Sequence, residues 1–262
     1  MLFLLNIFLK CIKLFTRQAE EIVVISSLFM KDMYLDDGYL WAFDATVVDA
    51  SEDRAILDRT AFYPQSGGQP ADAGTLVRGD VSFSVVGVEP GEKGIVHILD
   101  KTGLKPGDPV SGRIDSDRRY RFMRGHTACH ILSAVIFKET GAKITGNQIE
   151  LSRSRVDFSL ESFDKAKMGE YVQQANRRIA EHHPVTTRVI PRSEALAIPD
   201  LVRLAMNVPD RDMIRVVEIE GVDRQACGGT HVKNTGEVGR IKMIKAENKG
   251  KANRRVYFSL ED

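Results

Sequence analysis

From residue 34 to residue 115, apolar and polar positions alternate with a period of two, and turns interrupt the alternation. Trp41, Phe43, Ala45 and Val47 interleave with Ala42, Asp44, Thr46 and Val48; Val81, Phe83 and Val85 interleave with Ser82 and Ser84. Glycine- or proline-rich breaks fall at 64–74, 90–94 and 103–107. Alternation sends every second side chain to the same face, so short strands with such turns predict a small antiparallel barrel or sandwich. No helix of ordinary length is evident in this part. Beyond Arg113 the pattern changes. The run Ile131-Leu132-Ser133-Ala134-Val135-Ile136-Phe137 predicts a helix packed into a core, with Gly141 as its stop. A strand is expected over 155–160. A helix is expected over 163–182, where Phe163, Met168, Tyr171, Val172, Ala175 and Ile179 approximate one stripe. Further strands are expected at 185–190, 212–220 and 238–244, with one helical turn at 193–197. Helices mixed with hairpin-like strands make the fold class α+β. The expected division is an extension over 1–29, a small β-barrel domain over 30–115, and a second α+β domain over 116–262.

Composition changes this picture little. The chain has 262 residues, enough for one large domain or two modest ones. Its 37 Lys and Arg nearly balance 36 Asp and Glu, so global charge carries no nucleic-acid signal. Three cysteines make no disulfide framework and fit a reducing, cytoplasmic compartment. The stretch over 1–29 starts with a mostly apolar run, Leu2 to Leu9, too short to span a bilayer. Three readings of it stay open: a surface or partner-binding helix, a damaged signal-like segment, or sequence upstream of the true start. No stable membrane association is expected.

Chemistry concentrates in two stretches about a hundred residues apart. His126 and His130 stand four apart in the expected helix, which puts both imidazoles on one face. Cys227 and His231 stand four apart around Gly228 and Gly229, where a helix is not expected and the chain can turn. Either pair alone is also what ordinary core or surface residues leave behind. Together they draw four residues from a pool of six His and three Cys. That argues for one shared zinc site with ligands His126, His130, Cys227 and His231. Cys129 points to another side of the helix and is expected to be buried. Thr127 stands where a metalloprotease of the HExxH type carries its general-base Glu, which disfavours peptide hydrolysis by that route.

Local charge adds candidate partners. Arg118, Arg119, Arg121 and Arg124 precede the paired histidines, and Lys249, Lys251, Arg254 and Arg255 lie in a basic C-terminal region. Both groups are candidates for phosphate contacts, and a solvated face would look the same. The loop containing Ser66, Gly67, Gly68 and Gln69 is stiffened by Pro64 and Pro70; it is either a structural turn or a close approach to a ligand. It lacks the Lys-Ser/Thr ending of a phosphate-binding P-loop.

The set Gly67-Gly68-Gln69, His126-Thr127-Ala128-Cys129-His130, Arg155-Val156-Asp157-Phe158 and Cys227-Gly228-Gly229-Thr230-His231 resembles the AlaX family, free-standing relatives of the alanyl-tRNA synthetase editing domain. The resemblance runs from about residue 34 to the end. It implies the medium form, a small barrel followed by a zinc-containing editing domain. The implied activity is hydrolysis of Ser-tRNA(Ala), and in some members of Gly-tRNA(Ala), with Ala-tRNA(Ala) left intact. The partner is then mischarged tRNA(Ala), not DNA, and the cofactor one Zn2+. The family's zinc ligands carry over onto His126, His130, Cys227 and His231, and its glycine motif onto Ser66, Gly67, Gly68 and Gln69. Thr127, Gln69, Gly228 and Gly229 become candidates for the pocket. The chain departs from the family in having Ser66 at the first place of the glycine run and Asp115-Ser116 where an aromatic residue often follows the aspartate. Rival readings are another zinc-dependent ester hydrolase, a threonyl-type editing domain, and a non-catalytic RNA-binding module with structural zinc.

Overall fold

The computed structural model describes residues 30–161, 164–202 and 211–261. The extension expected over 1–29, and Phe163 at the expected start of a helix, lie outside the described residues. Two compact units emerge. Among the described residues, one gathers 30–33, Leu40–Pro64 and Asp72–Ile114; the other gathers Tyr34–Tyr39, Gln65–Ala71 and those from Asp115 onward.

The first unit is a barrel. After β1 (Lys31–Asp32), which pairs in parallel with β4 (Arg59–Thr60), come β2 (Ala42–Ser51), β3 (Arg54–Leu57), β5 (Gly74–Arg78), β6 (Val81–Gly91), β7 (Gly94–Leu99) and β8 (Pro109–Ile114). Six of these strands close in the order β2-β3-β7-β6-β5-β8, every pair antiparallel. The alternation read in the sequence is the inside–outside alternation of this barrel. Phe43, Ala45 and Val47 are buried while Ala42, Asp44 and Thr46 are exposed, and closure leaves the six strands without an unpaired edge. His97 is completely buried in this unit. Its Nδ1–H donates to Ala55 O at 3.1 Å, and the Thr60 hydroxyl donates to its Nε2 at 2.8 Å. Burial pushes its pKa down to about 4.

The second unit is α+β. Its long helix α1 (Ser116–Thr140) begins at Asp115, whose carboxylate accepts the Arg118 N–H, and ends at Gly141, at φ 71°. Its residues from Phe122 to Ile136 are buried apart from a half-buried Arg124, so this helix is enclosed rather than amphipathic. Strands β9 (Ile144–Ile149), β10 (Ser154–Phe158), β14 (Arg240–Asn248) and β15 (Arg254–Glu261) form one sheet in the order β14-β15-β10-β9. Helix α2 (Lys165–Ala180) starts from the Asp164 cap and buries Met168, Tyr171, Val172, Ala175 and Ile179, as the stripe predicted. Strands β11 (Val185–Pro191), β12 (Met213–Ile219) and β13 (Asp223–Ala226) make a second, three-stranded antiparallel sheet. Helix α3 (Arg192–Ala197) packs Ala195 with Ile190, Ile214 and Val216 against that sheet. The α+β expectation, with a small antiparallel barrel first, holds. Strands β9 and β15 were not separately expected. Arg254 and Arg255 disguise β15 as a basic surface segment, although Arg254, Val256 and Phe258 all turn inward. Among the described residues, no helix is long and apolar enough to cross a membrane.

Candidate metal centre

Helix α1 presents His126 and His130 one turn apart on one side. The opposing ligands come from the end of a hairpin. Strand β13 pairs with β12 in the register Val216↔Ala226, and the next residue extends the pairing as the Cys227 N–H donates to Arg215 O at 3.0 Å. Arg215 then braces the following turn. Its Nη1 donates to Cys227 O at 2.8 Å and to Gly229 O at 2.9 Å. That turn brings Cys227 and His231 to the histidines. One donor atom from each of His126, His130, Cys227 and His231 lies within 4.8 Å of the others.

The donor set fits zinc. Bonds of 2.0–2.3 Å at tetrahedral angles place neighbouring ligand atoms roughly 3.3–3.8 Å apart. Cys227 Sγ lies 3.6 Å from His126 Nε2 and 3.4 Å from His231 Nε2. Each imidazole is also locked from behind. The Nδ1–H of His126 donates to Gln69 Oε1 at 2.9 Å, that of His130 to Asp223 Oδ2 at 2.9 Å, and that of His231 to Thr127 Oγ1 at 3.1 Å. The surrounding bonds determine these directions. Gln69 Oε1 also takes the Thr230 backbone N–H at 3.2 Å, while its Nε2 donates to Thr230 Oγ1 at 2.8 Å. The Thr127 hydroxyl donates to Met123 O at 2.9 Å, so it accepts from His231. With Nδ1 protonated, all three rings hold their Nε2 lone pairs toward a common centre, as metal-bound histidines do. Gln225 Nε2 steadies Asp223 Oδ2 at 2.8 Å.

Electrostatics favour the metal-binding forms of Cys227 and His231; at His130 they favour the proton that a metal has to displace. Burial pushes the Cys227 thiol up, but the histidines around it outweigh burial and hold it well below its ordinary range. The Gly229 N–H donates to Cys227 Sγ at 3.4 Å. Burial alone opposes protonation of His130; its bonds to Asp223 and Cys227 bring it up to about 10. Burial and the neighbouring His126 hold His231 well below the usual imidazole range. Cys129 is buried, apart from the ligand set, and burial pushes its thiol up to about 12.

The glycine loop is a turn with a purpose. Ser66 and Gln69 bond both ways, Ser66 N to Gln69 O at 3.1 Å and Gln69 N to Ser66 O at 2.9 Å. Gly67 and Gly68 between them have φ 55° and 83°, the paired positive angles of a type I′ turn. The turn sits against β9: the Ile149 N–H donates to Gly68 O and Asn147 Nδ2 to Gly67 O, both at 2.9 Å. It thereby delivers Gln69 to His126. The two glycines after Cys227 differ. A Cβ on Gly229 would sit 2.1 Å from His126 Cε1, whereas one on Gly228 would meet nothing within 4 Å.

The basic candidates separate. Arg119 is fully buried and its Nη1 donates to Gly38 O at 3.0 Å; Arg254 is buried and donates to Asn248 Oδ1, Gly250 O and Glu161 O. Both guanidinium groups are turned inward to acceptors within the fold. Arg118 is half-buried over the Phe122 ring. Arg121, Lys249 and Lys251 are exposed, and Arg124 and Arg255 half-buried. Asp223, Gln225, Thr230 and Arg215 were not singled out from sequence. Their roles depend on strand register and long-range pairing, which residue spacing does not display.

Comparison with known proteins completes the assignment. A family model described as threonyl and alanyl tRNA synthetase second additional domain matches residues 214–257, and one described as tRNA synthetases class II (A) matches residues 37–118. An alanyl-tRNA editing protein AlaX-M from Methanosarcina barkeri is 51% identical over 239 residues, 88% of this chain and 98% of that protein. An AlaX-M protein from Saccharolobus solfataricus is 44% identical over 88% of this chain and 99% of its own length. An alanine–tRNA ligase from Ignicoccus hospitalis is 40% identical over 81% of this chain but only 24% of the ligase. The chain belongs to the AlaX-M family of alanyl-tRNA editing proteins.

Proposed function

We propose that this protein hydrolyses the ester of Ser-tRNA(Ala) in the cytoplasm and spares Ala-tRNA(Ala). One observation carries the reading: four donor atoms converge in a chain that aligns over 88% of its length with nearly the whole of an AlaX-M protein. When bound, zinc supplies a fixed positive charge and Lewis acidity at the ester. The chain's own residues do the rest. Gln69, Asp223 and Thr127 hold the ligand rings through their Nδ1 atoms, so Gln69 and Thr127 act on the ligands rather than on the substrate. Gly228 leaves open space beside Cys227 for the aminoacyl group. The serine hydroxyl is the handle for discrimination, since a site that pairs a hydroxyl rejects an analogue lacking it far better than a size filter would.

Four protein ligands also suit a purely structural zinc, which would make the protein a binder without turnover. Deacylation of Ser-tRNA(Ala), Ala-tRNA(Ala) and Ser-tRNA(Ser) by zinc-loaded protein, with Cys227→Ala as control, separates the two. Selective loss of serine from tRNA(Ala), abolished in the control, is expected. Equal cleavage of the serine and alanine esters, or RNA binding without hydrolysis, would overturn the proposal.

A further inference from the structure

The basic residues that lie far apart in the sequence meet in the second unit. A surface cavity of about 170 Å³ is lined by Arg121, Arg124 and Gly125 of α1, by Glu150–Ser154, and by Phe258–Leu260 of β15. An adjoining cavity of about 180 Å³ shares Glu150, Arg153 and Ser154 and adds Arg155, Arg255 and Tyr257. Together they form one groove with five arginines and a single lining carboxylate, Glu150.

The charge in this groove is incompletely compensated. Arg155 Nη1 and the Arg255 guanidinium share one buried carboxylate, Asp157, at 2.6–2.8 Å. Arg153 Nε pairs with Glu150 at 3.0 Å at the exposed rim. Arg124 donates to two backbone carbonyls, Val238 O and Glu261 O. Arg121 is exposed and has no hydrogen-bond or ion-pair partner among the described residues. Three cations also crowd one ring: the guanidinium carbons of Arg153 and Arg255 lie 5.5 and 5.8 Å from the Tyr257 centroid, and Lys245 Nζ lies 4.6 Å from it. Each of the three has a carboxylate partner, Glu150 for Arg153, Asp157 for Arg255 and Glu247 for Lys245 at 2.7 Å, so the excess positive charge lies with Arg121 and with the two arginines that share Asp157. The groove and the metal centre share helix α1. Gly125 lines the groove, and His126 is the next residue on the same turn of α1.

We propose that this groove seats backbone phosphates of the RNA substrate just before its esterified end, with Arg121 and Arg153 as the principal contacts. The proposal rests on the deacylase reading and deepens it, by naming where the RNA lies. Phosphate contacts of this kind set register rather than sequence. They belong beside the metal centre because the strand entering it must be held there.

The test uses zinc-loaded full-length protein and labelled, uncharged tRNA(Ala), with Arg121→Ala, Arg153→Ala, their combination, and Lys101→Ala in the barrel as control. The combined variant is expected to bind at least about tenfold more weakly near 0.1 M salt. The slope of log K against log salt is expected to shrink by roughly 0.7–0.9 for each arginine removed. With Ser-tRNA(Ala), KM is expected to rise in step while kcat stays within about twofold. Unchanged affinity and salt slope would overturn the proposal, as would loss of kcat at constant KM. A wild type that binds tRNA through these arginines yet never deacylates it would defeat the functional reading and leave the groove standing. Deacylation indifferent to both arginines would do the reverse.

Discussion

Gly229 shows how little room surrounds the ligands. Its missing Cβ would lie 2.1 Å from His126 Cε1, so Gly229→Ala forces the ring or the turn to move. Zinc affinity, measured by competition with a chromophoric chelator, is expected to drop at least tenfold, whereas Gly228→Ala is expected to keep wild-type affinity. Asp223→Asn replaces a carboxylate behind His130 with a neutral amide. A drop of about 10- to 100-fold in zinc affinity is expected, the usual cost of losing a partner behind a ligating histidine. Unchanged affinity would show that Asp223 only fills space. The ligands themselves were readable in the sequence, because a spacing of four on a helix is a geometric statement and His and Cys are scarce here. Asp223 and Thr230 were not. An acidic residue at a strand end or a threonine in a turn has many uses, and only the folded chain brings Asp223 behind His130 and Thr230 to Gln69.

Among elements, the barrel strands were readable because one face is buried and the other is wet. Strand β15 was not, because arginines that pair with Asp157 or turn inward look like solvated charge. The barrel carries its own pH dependence. His97 is buried and neutral, with its pKa lowered from the ordinary 6.5 to about 4. The unfolded chain therefore takes up a proton first as pH falls. The contribution of His97 is fully present above pH 6.5, declines between 6.5 and about 4, and amounts to something on the order of 3 kcal/mol. Denaturant unfolding from pH 7 to 4 is expected to show this loss, and the difference from His97→Gln isolates it from carboxylate titration. Parallel curves for the two proteins would remove His97 from the account.

For the molecule as a whole, the candidate zinc is a structural tie as well as a reactive centre. Its ligands come from α1 and from the segment after β13, about a hundred residues later. Binding to the folded state alone stabilises it by about 4 kcal/mol when free metal is a thousandfold above Kd. Stripping zinc with a strong chelator is therefore expected to lower the melting temperature of the wild type and to leave that of Cys227→Ala unchanged; equal shifts in both would place the effect elsewhere. The order of the chain carries a last implication. Gln69, which holds His126, is supplied by a turn lying between β4 and the barrel strand β5. A gene fragment beginning at Asp115 would encode every ligand yet omit that turn. In protein-engineering language, the barrel is not a detachable module: a chimaera with a foreign barrel must carry Gln65–Ala71 across as a graft, or His126 loses its acceptor.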